Sequence, residues 1–181
     1  MNFSFENKVA LVTGAGAGMG LATARAFAEE KAAVVLADVS EKAVRSAAEE
    51  LVASGHTAIA VRCDISNEVE VQAMVERTVA EFGRLDAAFN NAGVMARVAS
   101  TGESTREEWE RVIGINLRGV WSSMKYELRQ MERQGSGAIV NCSSVGGFTG
   151  DKGISPYIAS KHGVIGLTRK RHSNMPPKGS A

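Results

Sequence analysis

The chain is expected to fold as an α/β protein built on a doubly wound parallel sheet. Three observations predict this. Short runs rich in Val, Ile and Ala alternate with longer stretches of helical period, the first run leads directly into a glycine-rich turn, and that turn opens a helix. The first strand is placed at residues 8–13 (K-V-A-L-V-T), and a helix over 18–31 follows, with Leu21, Ala24 and Ala28 spaced for its buried side. Residues 33–38 (A-V-V-L-A-D) form the second strand, 41–54 the second helix and 57–62 the third strand. A helix over 68–82 stops at Gly83, a residue suited to the left-handed end of a helix. Residues 85–90 make the fourth strand, 105 to about 133 one long helix, 137–142 the fifth strand, and a last helix begins at 155. No linker composition or internal repeat interrupts the pattern, so one domain is expected across 1–181.

Composition narrows the function classes. The 181 residues are 44% hydrophobic and 23% charged, with 19 glycines and 3 prolines, which is the balance of a globular protein with a sizeable core. A formal net charge of +1 offers no basic stripe for nucleic acid, and the one basic cluster is Arg169, Lys170 and Arg171. No apolar run approaches the roughly 20 residues that span a bilayer, and residues 1–8 lack the regions of a signal peptide, so no membrane partner and a cytoplasmic location are expected. Cys63 and Cys142 are expected inside strands as buried thiols; neither they nor His56, His162 and His172 show metal-ligand spacing.

The glycine-rich turn, T-G-A-G-A-G-M-G, carries Gly14, Gly18, Met19 and Gly20 between the first strand and helix. A turn without side chains lets backbone approach a pyrophosphate, and the helix start offers free N–H groups at the positive end of its dipole. The same turn also serves close packing. Asp38 closes the second strand, eighteen residues after Gly20, where a carboxylate can accept both hydroxyls of an adenosine ribose and repel a 2′-phosphate. Ala17, Val39 and Ser40 supply no arginine for such a phosphate, so NAD is favoured over NADP.

A second constellation lies further on, in S-V-G-G-F-T-G-D-K-G-I-S-P-Y-I-A-S-K. Tyr157 and Lys161 are four residues apart and share a helix face. Ser155 suits the cap and Pro156 the first helical position, which puts Tyr157 in the first turn. A tyrosine ordinarily titrates near pH 10, so acid–base work at neutrality needs a neighbouring cation, and Lys161 is placed to be one.

Taken together, T-G-A-G-A-G-M-G, Asp64 after the third strand, N-N-A-G at 90–93, Asn116, Ser144 and Y-I-A-S-K resemble the short-chain dehydrogenase/reductase family over about residues 5–169. The resemblance implies a Rossmann-like fold and an NAD-dependent oxidoreductase moving a hydride between a nicotinamide and a small secondary alcohol or ketone. It implies that Tyr157 is the acid/base and that Lys161 holds the nicotinamide ribose and favours the phenolate. Ser144, thirteen residues before Tyr157, would bind the substrate oxygen, and Asn116 would hold a proton-relay water. Asp64 and Ile65 would contact adenine, while Asn90, Ala92 and Gly93 would line the cofactor. Residue by residue, plainer readings stay open. Asn90 and Asn91 can make a turn after a strand, Asn116 can mark a kink or face solvent, and Ser143 competes with Ser144.

After Arg169 the sequence departs from the family pattern, with K-R-H-S-N-M-P-P-K-G-S-A as an atypical tail over 170–181 in place of an apolar helix continuation. Pro176 and Pro177 interrupt a helix, and the C-terminal strands of the family fold are expected to be missing. A shift of reading frame is one account: codons compatible with 170–181, read two nucleotides later, can encode the more family-like A-A-L-E-Y-A-A-K-G-I-R. Sequencing the encoding DNA tests it. A truncated nucleotide-binding remnant without turnover is therefore the alternative to an active enzyme. The dimer or tetramer usual in the family is expected to be weakened.

Overall fold

In the computed structural model, which describes residues 4–171, five apolar runs become strands of one sheet: β1 (Val9–Thr13), β2 (Ala33–Asp38), β3 (Ala58–Arg62), β4 (Ala87–Asn90) and β5 (Ala138–Asn141). All pairings are parallel, in the order β3-β2-β1-β4-β5, with Leu11 opposite Val35 on one side and Ala88 on the other. Every residue of β1 is buried, as expected of a central strand covered on both faces. Because the order turns back at β1, the ends of β1 and β4 part and leave a crevice at the C-terminal edge of the sheet.

The helices are α1 (Gly18–Glu29), α2 (Glu41–Ala53), α3 (Glu68–Phe82), α4 (Arg106–Ile113), α5 (Val120–Gln134) and α6 (Ser155–Arg171). One core layer joins Val12, Val34 and Leu36 to Ala24 and Ala28 of α1 and Val44 and Leu51 of α2. On the opposite face, Leu11, Val35 and Ala88 meet Val71 and Met74 of α3 and Met131 of α5. The starts follow from sequence: Ser40 accepts from Ala43 N, Asn67 from Val69 N and Thr105 from Glu108 N. Gly83 takes the left-handed conformation that ends α3, at φ 74°.

Three expectations are corrected. The long helix runs unbroken over 106–134 but is not α-helical throughout, because a π-helical segment, Gly114–Gly119, lies between α4 and α5 and carries Asn116. α6 begins at Ser155 itself, so Pro156 is its second residue; a proline there still forfeits no intrahelical bond, and Tyr157 stays in the first turn. Cys63 and Cys142 each sit one residue beyond a strand, Cys63 buried and Cys142 only half-buried.

Among the described residues β5 has a single neighbour, β4, and the face it shares with β4 is partly bare. A shallow apolar hollow of about 300 Å³ there is lined by Phe5, Phe27, Phe89 and Val140, the last 60% exposed. Of the tail expected over 170–181, the helix includes 170 and 171, and 172–181 lie outside the described residues.

Candidate active site

The glycine turn is held from below by Asn91. Its backbone N–H donates to Thr13 Oγ1 at 3.0 Å, and its Nδ2 donates to the carbonyls of Thr13 (3.0 Å) and Gly14 (3.3 Å). Gly14 has φ +66°, and a Cβ on it would stand 2.8 Å from Asn91 Nδ2 and 2.9 Å from Ala92 Cα, so a side chain is excluded on both counts. Ala17, the cap of α1, makes no side-chain cap bond, so the first-turn N–H groups have no acceptor from that residue and are available to an anion.

Beside the turn, a crevice of about 240 Å³ is lined by Gly14, Asp38, Asp64, Ile65, Ala92 and Gly93, among others. The Asp38 carboxylate is fixed at the rim. Oδ2 accepts from Gly16 N and Oδ1 from Ser40 N, both at 2.9 Å, leaving a second lone pair on each oxygen for further donors. Among the described residues, no Lys or Arg lines the crevice. Asp64 is turned inward on itself, with Oδ1 accepting from Ser66 N (2.9 Å) and Ser66 Oγ (2.7 Å). Its N–H donates to Glu70, which together with Arg62 holds that carboxyl below the usual range against the effect of partial desolvation. Burial pushes the neighbouring Cys63 thiol up to about 12, so it is a neutral packing group.

Behind Gly93 and outside the crevice lining, Lys161 is only 4% exposed; its Nζ donates to Cys142 O at 2.8 Å and lies 5.7 Å from the Tyr157 ring centroid. Burial lowers its pKa below the ordinary lysine value. Ser144 is extended and caps a 3₁₀ turn, Val145–Gly147, by accepting from Gly146 N at 3.1 Å. A Cβ on Gly146 would lie 3.6 Å from both Ser144 Oγ and Tyr157 Cε1, so the hydroxyl and the phenol ring flank the same glycine. Ser143 instead donates to Lys161 O at 3.0 Å, facing helix backbone, which leaves Ser144 beside Tyr157.

Asn116 is fully buried in the π-helical segment. It clamps the loop after β4 by accepting from Val94 N (2.8 Å) and donating to Val94 O (2.9 Å), and it also donates to Ser160 Oγ at 3.2 Å. Gly93 stands between Asn116 Oδ1 and Lys161 Nζ, which a Cβ there would approach to 3.2 and 3.6 Å. Chemically, the arrangement offers a turn at an uncapped helix start, a carboxylate with unused lone pairs, a phenol beside a hydroxyl, and a buried cation.

Comparison with known proteins agrees with this geometry. The family signature for short chain dehydrogenase matches residues 8–179. The chain belongs to the short-chain dehydrogenase family. It is 43% identical over 179 residues to a cyclohexanol dehydrogenase of Acinetobacter sp. (strain SE19), covering 99% of this chain and 71% of that protein. It is 47% identical over 169 residues to a cis-4-hydroxycyclohexanecarboxylate dehydrogenase of Sinomonas cyclohexanicum, covering 93% and 68%. Among solved structures, a short chain dehydrogenase/reductase from Burkholderia phymatum in complex with NAD superposes with TM-score 0.93 at 37% identity, covering 98% and 63%. The chain thus spans about two thirds of the length of these relatives. The family match runs past Arg169, where the sequence alone suggests a departure.

Within this short-chain dehydrogenase, the expected site residues divide. Gly14, Asp38, Asp64, Ile65, Ala92 and Gly93 meet at the crevice, and Asn116, Ser144, Tyr157 and Lys161 gather around Gly93 and Gly146. Gly20 is buried against Gly14 O, under the turn. Gly18, φ +55°, is exposed at the start of α1, and the Met19 side chain is 67% exposed and does not line the crevice. Asn90 departs most: its amide is buried below the crevice, donating to Glu127 Oε2 and Asn141 Oδ1, because the last residue of β4 points that way on the pleat. Thr13, Asn91, Ser160 and Glu127 support the site from positions to which the motifs assign no role. For Asn91 the signal is the doubled asparagine itself, whose two amides point to opposite sides of the sheet edge.

Proposed function

We propose that this chain binds NAD and carries the catalytic group for oxidising a secondary alcohol, or reducing the matching ketone. The observation that carries the reading is the chain of neighbours that runs from Ser144 and Tyr157 at Gly146, through Lys161, to Gly93, which lines the crevice rimmed by Asp38. The side-chain-free turn at Gly14, the start of α1 and the Asp38 carboxylate fit a dinucleotide, and a crevice whose described lining holds no cation favours NAD over NADP. A bound nicotinamide supplies the hydride acceptor or donor. The protein's part is to hold the substrate oxygen by the Ser144 hydroxyl and to take or return its proton at the Tyr157 oxygen. Lys161, held by Cys142 O, supplies positive charge beside the phenol and a donor for the nicotinamide ribose. Asn116 fixes the Val94 backbone and hence the loop lining the crevice, and its place beside Lys161 suits a proton path to solvent. Asp64 and Ile65, which line the crevice together with Asp38, suit contact with adenine.

The two relatives named for cyclohexane-ring alcohols favour a cyclic secondary alcohol as the substrate class. No described helix is long and apolar enough to cross a membrane, in keeping with a cytoplasmic enzyme acting on a small molecule. A second reading, a dinucleotide-binding remnant without turnover, is favoured by the bare face of β4 and β5 and by exposed Phe148, 69% accessible, on the 3₁₀ turn that Ser144 caps. Purified 181-residue chain, assayed for NADH binding and for NAD reduction with a panel of cyclic and acyclic secondary alcohols, separates them. Turnover abolished by Tyr157→Phe supports the enzyme, binding without turnover supports the remnant, and no binding rejects both.

A further inference from the structure

Glu127 is the one carboxyl completely buried on α5, and the catalytic chemistry above does not use it. It sits under the C-terminal edge of the sheet. Asn90 Nδ2 donates to Glu127 Oε2 at 2.9 Å and to Asn141 Oδ1 at 3.0 Å, and Asn141 Nδ2 reaches Thr168 Oγ1 of α6 at 3.0 Å and Met124 Sδ at 3.3 Å. One polar cluster, buried at Asn90 and Glu127 and reaching the surface at Thr168, therefore ties α5, the ends of β4 and β5, and α6. It stands directly beneath the working residues: Asn90 precedes Asn91, which holds the glycine turn, and Asn90 O accepts from Cys142 N, whose own carbonyl holds Lys161.

Two oxygens in this cluster have no partner among the described residues, Asn90 Oδ1 and Glu127 Oε1. They belong to the two groups already joined by the Nδ2–Oε2 bond. As a carboxylate, Glu127 could only present an acceptor to an acceptor. A single proton on Oε1 removes both deficits, since it turns one oxygen into a donor for the other.

We propose that Glu127 is a positioning residue kept as a neutral carboxylic acid, its Oε1–H donating to Asn90 Oδ1 while Asn90 Nδ2 donates to Oε2. The resulting acid–amide ring braces the ends of β4 and β5 under the crevice. The surroundings agree. β4 and β5 bring no ionisable side chain to the cluster. On α3, Glu68 pairs with Lys125, Glu70 with Arg62 and Arg77 with Glu81, while Glu76 accepts from Gln72. Arg118 of the π-helical segment is exposed, and Lys161 of α6 is bound to Cys142 O. None of these charges acts on Glu127, and burial alone pushes its pKa up to about 7 against the opposing Asn90 bond.

The ring is pH-sensitive. With the folded pKa above the ordinary 4.5, its stabilisation is complete below about pH 4.5, is lost progressively as pH rises from there through about 7, and is level above. Every pH unit by which the folded carboxyl titrates above the unfolded one is a tenfold change in the folding equilibrium, so the loss is on the order of a hundredfold. The test uses wild-type 181-residue chain labelled at the glutamate side-chain carboxyl carbon, with Glu127→Gln and Glu127→Leu. Carboxyl NMR of the wild type is expected to show one glutamate, absent from both variants, titrating near neutrality. Thermal stability of the wild type should fall from pH 5 to pH 8, that of Glu127→Gln should stay at the wild-type level of pH 5 throughout, and Glu127→Leu should be lowered at both pH values. NADH affinity, which rests on the dinucleotide reading above, should follow the same order. A Glu127 carboxyl ionised at pH 6, or a wild-type pH slope retained in Glu127→Gln, overturns the proposal. A near-neutral titration with no NADH binding in any form supports the ring and rejects only the dinucleotide reading.

Discussion

Lys161 donates through Nζ to the main-chain oxygen of Cys142 at 2.8 Å, so the cation beside Tyr157 is anchored to the residue just after β5 rather than to a counter-charge. A neutral acceptor leaves the ammonium's charge uncancelled. That is the condition under which a buried lysine can act electrostatically on a neighbouring phenol and a bound ribose.

Replacing Lys161 by Met keeps the apolar stem and removes both the charge and the bond to Cys142. Alcohol oxidation is expected to fall by about 10²- to 10⁴-fold in kcat/KM, the range of a lost acid–base partner, with NADH affinity also reduced. Steady-state kinetics with a fluorescence binding titration measure the two effects; unchanged kcat/KM would remove Lys161 from the proposed mechanism.

Asp38 is expected to set the choice of nucleotide. In Asp38→Ala the ribose loses its acceptor and a 2′-phosphate loses its repulsion, so NADH should bind about tenfold more weakly while NADPH binds no worse. Parallel titrations with the two nucleotides give the ratio. The ratio, not either affinity, is the diagnostic quantity, because Asp38 also fixes the backbone of Gly16 and Ser40.

At Gly14, alanine is expected to destabilise the fold by about 1–3 kcal/mol and to abolish nucleotide binding, since the positive φ and the close approach of Asn91 and Ala92 act together. Gly102→Ala, where nothing lies within 4 Å, is the control and should melt within a degree or two of wild type. Differential scanning fluorimetry of the pair checks both.

Asp86 predicts an acid limb. Partial burial raises its pKa, but the paired bonds from Arg84, each 2.6 Å, with Val9 N and Lys8, outweigh that and leave it below the ordinary 3.8. Its stabilisation is therefore present above the unfolded carboxyl's pKa and is lost as pH falls through the lower folded value. Asp86→Asn should cost about 1–3 kcal/mol at pH 7 and flatten the decline below pH 4. Denaturant melts across that range measure the slope.

Strand positions were legible to within two residues, because each apolar run is bounded by a Gly, Pro, Asp or Asn that a strand or helix does not continue through. The crevice was equally legible, since Asp38, Asp64 and N-N-A-G each close a strand of the same sheet. Three things were not. A π-helical turn inserts one residue into a helix without altering its composition, so 105–133 reads as one element. The direction of an Asn side chain at a strand end depends on the pleat, which sequence does not phase to the residue. And Glu127, set in K-Y-E-L-R-Q-M-E-R, looks like any solvent-facing glutamate until α5 is laid against the sheet.

The π-helical segment has a further consequence. Since an α-helix advances about 100° per residue, removing one residue between Gly114 and Gly119 would rotate everything after it by that angle relative to α4. Glu127 would swing out from under Asn90, and Lys125 would leave Glu68. The stretch therefore works as a spacer whose residue count sets the angular phase of α5: a one-codon deletion there would misalign the floor of the site while leaving Ser144, Tyr157 and Lys161 in the sequence.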